Sequence, residues 1–206
     1  MKKNILISIW MTIATTILFG LIYPLVVTGL AQLIFPHKAN GQLIEQNGTL
    51  VGSSIIGQGF SSPAYFHSRP SAAGNGWDAA NSGGSNLGPT NQKLLDRVKS
   101  DVAAAQADKP GAAVPIDLVT TSASGFDPHI SPAAAEFQLP RVARARGISV
   151  DQLRPLVAKH TQGRQLGVLG ELRVNVLELD LELDQQFPMN KQAKLQQPSP
   201  RTRAGE

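Results

Sequence analysis

Residues 4–36, "NILISIWMTIATTILFGLIYPLVVTGLAQLIFP", decide the architecture of this 206-residue chain, because the run holds no charged residue. About twenty apolar residues suffice to cross a bilayer, so the run can span one. A cleaved signal peptide is the alternative, since two lysines precede the run. A secretory core usually has only about 7–15 apolar residues before small residues at the cleavage site. Length and flanks therefore favour an uncleaved membrane helix, in which Pro24 is tolerated as a kink.

The flanking charges predict the orientation of this helix. Lys2 and Lys3 lie immediately before the run, whereas Lys38 alone follows it closely. Positive residues concentrate on the cytoplasmic side of a span. We therefore expect residues 1–36 to hold the cytoplasmic N-terminus and the span, and residues 37–184 to form a domain outside the cytoplasm. The chain has no cysteine, so that domain must be stabilised by its core rather than by disulfides.

Residues 37–184 predict one mixed α/β domain with a β-hairpin, short strands and about three helices. Asn47-Gly48, between two apolar-rich runs, is the strongest short-range hairpin signal, with strands over 42–46 and 49–56. "VPIDLVT", residues 114–120, predicts a short edge strand. "RVNVLELDLELD", residues 173–184, alternates leucines with acidic residues and predicts a half-buried strand.

Three further segments predict helices because apolar residues recur at helical spacing after a capping residue. The expected caps are Thr90 or Asn91, then Ser131 followed by Pro132, and then Ser149 with Gln152 as a capping box. Pro155 is expected to bend the third helix. Residues 185–206 have few apolar residues, three prolines and a surplus of positive charge, so we predict a disordered tail.

The stretch "SASGFDPHISP", residues 122–132, brings a serine, an aspartate and a histidine together. Such residues form hydrolytic sites only when the folded geometry aligns them. Asp127 before a proline is typical of a turn, so we interpret Asp127 and His129 as structural turn residues and predict no catalytic residue. Catalysis or metal binding is the alternative, with His67 as the partner to test. A metal site normally needs three or four ligands, and we predict none.

The stretch "GGSNLGPTNQK" is rich in glycine and opens a predicted helix. Backbone N–H groups at such a place can hold a phosphate, but the spacing of a P-loop is absent. A structural loop and a nucleotide-binding loop both remain open. The residues of the predicted nucleotide site are Gly84, Ser85, Asn86, Gly88 and Thr90.

The membrane helix predicts a face for partner helices. Small residues allow close approach between membrane helices, and hydroxyl groups can bond across the contact. The alternative is that these residues are simply tolerated facing lipid. At helical spacing, the residues of this face are Ser8, Thr12, Thr15, Thr16 and Gly20.

The chain carries a net charge of +4, so a nucleic-acid surface is conceivable. The predicted location outside the cytoplasm excludes that use. The basic residues instead indicate a solvated face, or contacts with acidic partner loops or lipid head groups.

Several long stretches closely resemble one family over roughly residues 5–184. They are "YPLVVTG", "YFHSRPSAA", "SGGSNLGPTNQKL", "SGFDPHISPAAAEFQLPRVARARG" and "HTQGRQLGVLGELRVNVLELDLELD". The family is the C chain of the Kdp-type high-affinity potassium-transporting ATPase. The sequence departs from the family pattern at Pro155 and in its longer tail.

The resemblance implies a single-pass subunit of a bacterial inner-membrane complex that takes up potassium. Its expected partners are a channel-like subunit that carries potassium and a P-type ATPase subunit, with a further small membrane peptide. The family's C chain is described as a catalytic chaperone that raises the ATP affinity of the ATPase subunit. The "DKTG" of a P-type pump is absent here, so the resemblance implies a non-catalytic chain. This chain would bind no cofactor alone and would meet ATP through the complex.

Overall fold

The computed structural model describes Lys2 to Met189, and the predicted disordered tail therefore lies largely outside the described residues. Two compact units divide the chain: the first is Met1–Ser53 and the second begins at Ser54. Together they confirm the predicted class, which is a mixed α/β protein with an apolar N-terminal helix.

The N-terminal helix runs without a break over Lys2–Ile34 and is long and apolar enough to cross a membrane. It consists of α1 (Lys2–Ile17), a wide π turn (Leu18–Ile22) and α2 (Tyr23–Ile34). Pro24 has no N–H, and a proline ring clashes with the carbonyl four residues earlier. The π turn lies immediately before Pro24, and the Tyr23 N–H donates to the Leu18 carbonyl, five residues back.

A short helix, α3 (Pro36–Ala39), leads to the predicted hairpin, which the structure confirms. Strand β1 (Leu43–Gln46) pairs antiparallel with β2 (Thr49–Ser53). Asn47 and Gly48 have φ angles of 53° and 74°, the left-handed pair that a type I′ turn requires. The second strand ends three residues before the predicted position 56.

The second unit packs four helices with one small sheet. The sheet has antiparallel strands in the order β3-β5-β4. Its elements are α4 (Gln92–Asp108), β3 (His129–Ile130), α5 (Pro132–Arg146), α6 (Val150–Lys159), β4 (Thr161–Gln162), β5 (Arg173–Asn175) and α7 (Val176–Gln186). The helix α7 extends two residues into the predicted tail.

The predicted helix caps are confirmed. The Asn91 side chain accepts from the Lys93 N–H and so begins α4. The Ser131 Oγ accepts from the Ala134 N–H at the start of α5. Ser149 begins α6 with the full capping box that the sequence predicts. These bonds satisfy N–H groups that a helix leaves unpaired in its first turn.

The edge strand predicted over 114–120 is wrong, because Ile116–Leu118 form a single 3₁₀ turn. Asp117 explains the difference. Its carboxylate oxygens accept from the Ser131 N–H at 2.7 Å and from the Ser131 Oγ at 3.2 Å. This tertiary contact fixes the local backbone, and propensity alone could not anticipate it.

The strand predicted over 173–184 is also wrong beyond its first three residues. Helix α7 begins at Val176, where the Asn175 side chain accepts from the Glu178 N–H at 3.2 Å. The alternation of apolar and polar residues is interrupted where Val176 and Leu177 are adjacent, at the start of the helix. The buried residues recur at helical spacing, so one acidic residue enters the core; they are Val176, Leu177, Leu179, Asp180 and Leu183.

The core of the second unit lies among α5, α6, α7 and the sheet. One aromatic side chain from outside these elements, Phe66, is fully buried in it. Its other large, fully buried members are Ile130, Leu139, Val142, Leu153, Val174, Val176, Leu179 and Leu183.

Candidate functional site

Residues 63–69, which overlap the motif "YFHSRP" (residues 65–70), contact α5 and α7. Side chains of these two helices form hydrogen bonds with the backbone of the segment. The Phe66 N–H donates to Asp180 Oδ1 at 2.9 Å. Gln138 closes a two-way bond with His67, accepting its N–H at 2.8 Å and donating to its carbonyl at 3.1 Å. Arg141 Nη1 donates to the carbonyls of Pro63 and Tyr65. Side chains therefore bond the backbone of a segment that begins with a turn and belongs to no strand.

Asp180 is the most deeply buried charged residue at this segment, with 2% of its surface exposed. Burial raises its pKa well above the usual range, while the Phe66 N–H opposes the shift. Its Oδ2 has no hydrogen-bond partner among the described residues. The folded protein therefore binds a proton at this carboxyl more tightly than the unfolded chain does.

Arg146 links this segment to the end of α7. Its guanidinium donates to Asp184 Oδ1 at 2.8 Å, to the Ala64 carbonyl at 2.7 Å and to the Phe187 carbonyl at 2.9 Å. It also stacks 4.8 Å from the centre of the Tyr65 ring. Burial, with a hydrogen bond to Asp184, raises the pKa of Tyr65 to about 12. The cluster keeps its charges paired inside the fold.

A cleft of about 560 Å³ contains Asp127 and His129. Asp127 Oδ2 accepts from Arg69 Nη1 at 3.1 Å, and Arg69 Nε donates to the Thr120 carbonyl at 3.0 Å. Burial, followed by the charge of Arg173, lowers the pKa of His129. Among the described hydrogen bonds, none joins Asp127 to His129. Asp127 is thus paired with Arg69, whereas His129 lies in strand β3. The interpretation of Asp127 and His129 as structural turn residues stays a prediction.

His67, the partner suggested for a catalytic or metal site, lies in a different place. It lines a second cavity of about 320 Å³ with Trp77, Asp108 and Arg141, and its Nε2 is 3.0 Å from the Ser62 carbonyl. Burial, followed by Arg141, lowers its pKa. In the described part of the chain, no group of three or more histidine and carboxylate side chains is placed to hold a metal.

The predicted nucleotide loop is a surface loop that joins the 3₁₀ turn Ala79–Asn81 to α4. The Gly83 N–H donates to the Ala123 carbonyl at 2.8 Å and anchors the loop. Asn86 adopts a left-handed φ of 51°. All five residues of the predicted site are exposed. A phosphate contact at Gly84, Ser85, Asn86, Gly88 and Thr90 stays a prediction.

Three hydroxyl groups of the predicted membrane-helix face bond within their own helix. Ser8 donates to the Asn4 carbonyl, Thr12 to the Ser8 carbonyl and Thr15 to the Met11 carbonyl, each at 2.8–2.9 Å. Their oxygens keep lone pairs that can accept from a neighbouring helix. The partner face that includes Thr16 and Gly20 stays a prediction.

Sequence reasoning missed one surface, the connection between β4 and β5. Every residue from 163 to 172 is exposed. Gln165 and Leu169 exchange two backbone hydrogen bonds at 2.8 and 2.9 Å, so the connection folds back as a hairpin. Its signal was the glycine-interrupted apolar run "QLGVLGEL", which lacks the asparagine that marks the hairpin at Asn47.

An apolar helix long enough to cross a bilayer, the one such candidate among residues 2–189, precedes a unit whose buried charged side chains bond its own backbone. This arrangement is that of a membrane protein with a small folded domain. The model of the family KdpC, "K+-transporting ATPase, c chain", matches residues 5–185. The chain therefore belongs to the KdpC family, and the resemblance in its motifs is confirmed.

Curated relatives support the same assignment. The chain is 66% identical over 189 residues to the potassium-transporting ATPase KdpC subunit of Koribacter versatilis, covering 92% of this chain and 98% of the relative. It is 57% identical over 178 residues to the KdpC subunit of Rhodospirillum rubrum, covering 85% and 92%. The likeness extends along nearly the whole length of both relatives.

Proposed function

We propose that this chain is the accessory, non-catalytic subunit of an ATP-driven potassium uptake complex. It supports assembly and raises the ATP affinity of the P-type ATPase subunit. The observation that carries the proposal is the family match over residues 5–185, which covers most of the apolar helix and most of both compact units. The KdpC relatives of similar length are named as subunits of a potassium-transporting ATPase.

The chain resides in the bacterial inner membrane with its N-terminus in the cytoplasm and the second unit in the periplasm. Lys2 and Lys3 before the helix, against Lys38 after it, support this orientation. A reporter enzyme active only in the periplasm, fused after Glu206, should be active. Activity of a cytoplasm-only reporter at the same position would reverse the orientation.

This topology assigns ATP binding to the ATPase subunit, since a periplasmic domain does not meet ATP. The chain acts through its contacts with the channel-like subunit, the ATPase subunit and a small membrane peptide. An effect on ATP affinity is then a coupling between separate sites of one complex. The exposed Gly-rich loop is interpreted as structural under this topology.

The predicted face of the membrane helix supplies one of these contacts. Replacing Thr16 and Gly20 together by leucine fills the surface where a partner helix would approach closely. Leucine is favourable at mid-bilayer, so insertion should be unimpaired. Recovery of the partner chains in mild detergent should fall.

The matched control is Ile17→Leu, which changes a large apolar residue of the same helix outside the predicted face. It should leave partner recovery unchanged. Full recovery by the Thr16→Leu, Gly20→Leu variant would show that the second unit supplies the attachment. Failure of the wild-type chain to co-purify with a channel-like chain and a P-type ATPase would overturn the proposed function itself.

A further inference from the structure

Residues 163–172, named here the apolar hairpin arm, expose several large apolar side chains at once. All ten residues of the arm are exposed. The exposed fractions are 90% for Leu166, 73% for Val168, 56% for Leu169 and 51% for Leu172. Ile116, which is 74% exposed, lines the same cleft as Leu172 and extends the apolar surface. Contiguous exposed apolar surface of this kind marks an interaction site.

The turn at the tip carries an unfavourable residue. Leu166 and Gly167 have φ angles of 53° and 78°, and the Val168 N–H donates to the Gln165 carbonyl. Both residues are left-handed, as Asn47 and Gly48 are, in a loop of three residues between Gln165 and Leu169. Asparagine and glycine favour that turn, whereas leucine in a left-handed conformation is disfavoured by its Cβ.

A leucine at this position therefore does not serve the turn. It does not serve the core of the second unit either, because the side chain is almost completely in water. A locally unfavourable residue that the fold does not use points to a function. The apolar side chain at the tip gains free energy only when another surface covers it.

The charges of the arm select the kind of surface. Arg164 Nη2 and Glu171 Oε2 pair at 2.9 Å across its neck, so the arm is neutral within itself. It also contains no aromatic residue. A loop that binds an anionic bilayer needs surplus basic residues and usually aromatic side chains at the interface. The arm has neither, so its chemistry fits an uncharged apolar groove on a protein.

We propose that the apolar hairpin arm docks Leu166 and Val168 into an apolar groove of a partner chain in the potassium-transporting complex. This inference rests on the proposed function, because it needs partner chains to be present. It specifies which surface of the second unit makes the contact. Ile116 and Leu172 border the docked arm and extend the contact along the cleft.

Leu166→Asn tests the proposal in a way that separates docking from folding. Asparagine suits the left-handed turn better than leucine, so the purified full chain should keep or raise its thermal stability. Binding to a complex prepared without this chain should weaken about tenfold or more, as expected when one buried leucine is lost from an interface. Leu95→Gln, which removes an exposed leucine of α4, is the matched control and should bind like the wild type.

A second experiment identifies what covers the arm. The chain has no cysteine, so Leu166→Cys provides a unique thiol for a benzophenone maleimide photocrosslinker. Illumination of the complex reconstituted in lipid should join the arm to a partner chain. Crosslinks to lipid alone, or to a second copy of this chain, would overturn the proposal.

The two possible failures are distinguishable. If wild type and Leu166→Asn bind the complex equally well, docking by the arm is overturned and the proposed function stands. If the wild-type chain itself does not bind a complex of channel-like and P-type ATPase chains, both are overturned.

Discussion

Residues 63–69 and the apolar hairpin arm, residues 163–172, are two irregular segments of the second unit with opposite relations to the fold. The first buries Phe66 completely and has its backbone bonded by Asp180 and Gln138. The second is exposed along its whole length and pairs only with itself. The difference teaches that the first segment is part of the core, while the second is free to serve a partner.

The largest expected difference in stability is between truncating the buried Phe66 and truncating the exposed Leu166. Phe66→Ala should lower the free energy of unfolding by about 3–5 kcal/mol, as truncations of buried aromatic residues do. Leu166→Ala should change it by roughly 0.5 kcal/mol or less, as exposed substitutions do. Urea unfolding of the full chain in detergent measures both, with Trp10→Phe leaving Trp77 as the single fluorescent reporter. Equal losses of unfolding free energy in the two variants would contradict the contrast between a buried segment and an exposed arm.

Arg146, which bonds residues 63–69, and Arg164, which lies in the arm, differ in burial in the same way as the two segments. The Arg146 side chain is 1% exposed and bonds the Ala64 carbonyl as well as Asp184. Arg146→Ala should cost about 3 kcal/mol, because it leaves buried partners unpaired. Arg164 in the arm is 46% exposed and its partner Glu171 is 83% exposed, so Arg164→Ala should cost about 1 kcal/mol or less.

The same unfolding assay compares the two arginine variants directly. A loss of similar size for both would mean that the guanidinium of Arg146 does not hold residues 63–69. Arg146→Lys is a useful intermediate. Lysine keeps the charge but lacks the planar fork that reaches several acceptors together.

Asp180 gives the comparison a pH dependence. Its pKa is raised by burial, so the folded state retains a proton that the unfolded state loses above about pH 4. The contribution of this group to stability is therefore complete below the unfolded pKa and falls as pH rises toward the folded pKa. Asp180→Asn mimics the neutral acid and removes this dependence.

The free energy of unfolding of the wild type, minus that of Asp180→Asn, should therefore decrease from pH 4 to pH 8. Urea unfolding at a series of pH values measures this difference. Glu171→Gln neutralises a carboxylate of the exposed arm and controls for the change in net charge. A difference that is flat with pH would show that the Asp180 carboxyl has the same pKa in the folded and unfolded states.

The smallest effect is expected in the cleft. Asp127→Asn and His129→Gln should each lower stability by about 1 kcal/mol or less, because the Arg69 pair is partly exposed. ATPase activity per assembled complex should be unchanged. A large activity loss in a stable, assembled complex would return Asp127 and His129 to the candidate functional residues.

Local signals predicted much of this fold from the sequence. The span followed from the length of its uncharged run, and the hairpin from Asn47-Gly48. Ser131 and Ser149 each announced a helix start through a hydrogen bond made within a few residues. Such features need no knowledge of the rest of the chain.

The errors arose where distant contacts decide the outcome. In residues 173–184 leucines alternate with acids, which fits a strand, but the segment is a helix from Val176 onward, in which Asp180 is buried and accepts from the distant Phe66 N–H. Ser131 donates two hydrogen bonds to Asp117, and the segment predicted as a strand over 114–120 contains a 3₁₀ turn instead. The arm escaped prediction because Leu166 stands where a hairpin signal would have asparagine.

The central claim is that this chain raises the ATP affinity of a P-type ATPase without binding ATP alone. The direct measurement is the dependence of potassium-stimulated ATP hydrolysis on ATP concentration, for complexes purified with and without the chain. The account predicts a lower KM for ATP when the chain is present and no ATP binding by the isolated chain. An unchanged KM in a fully assembled complex would contradict it.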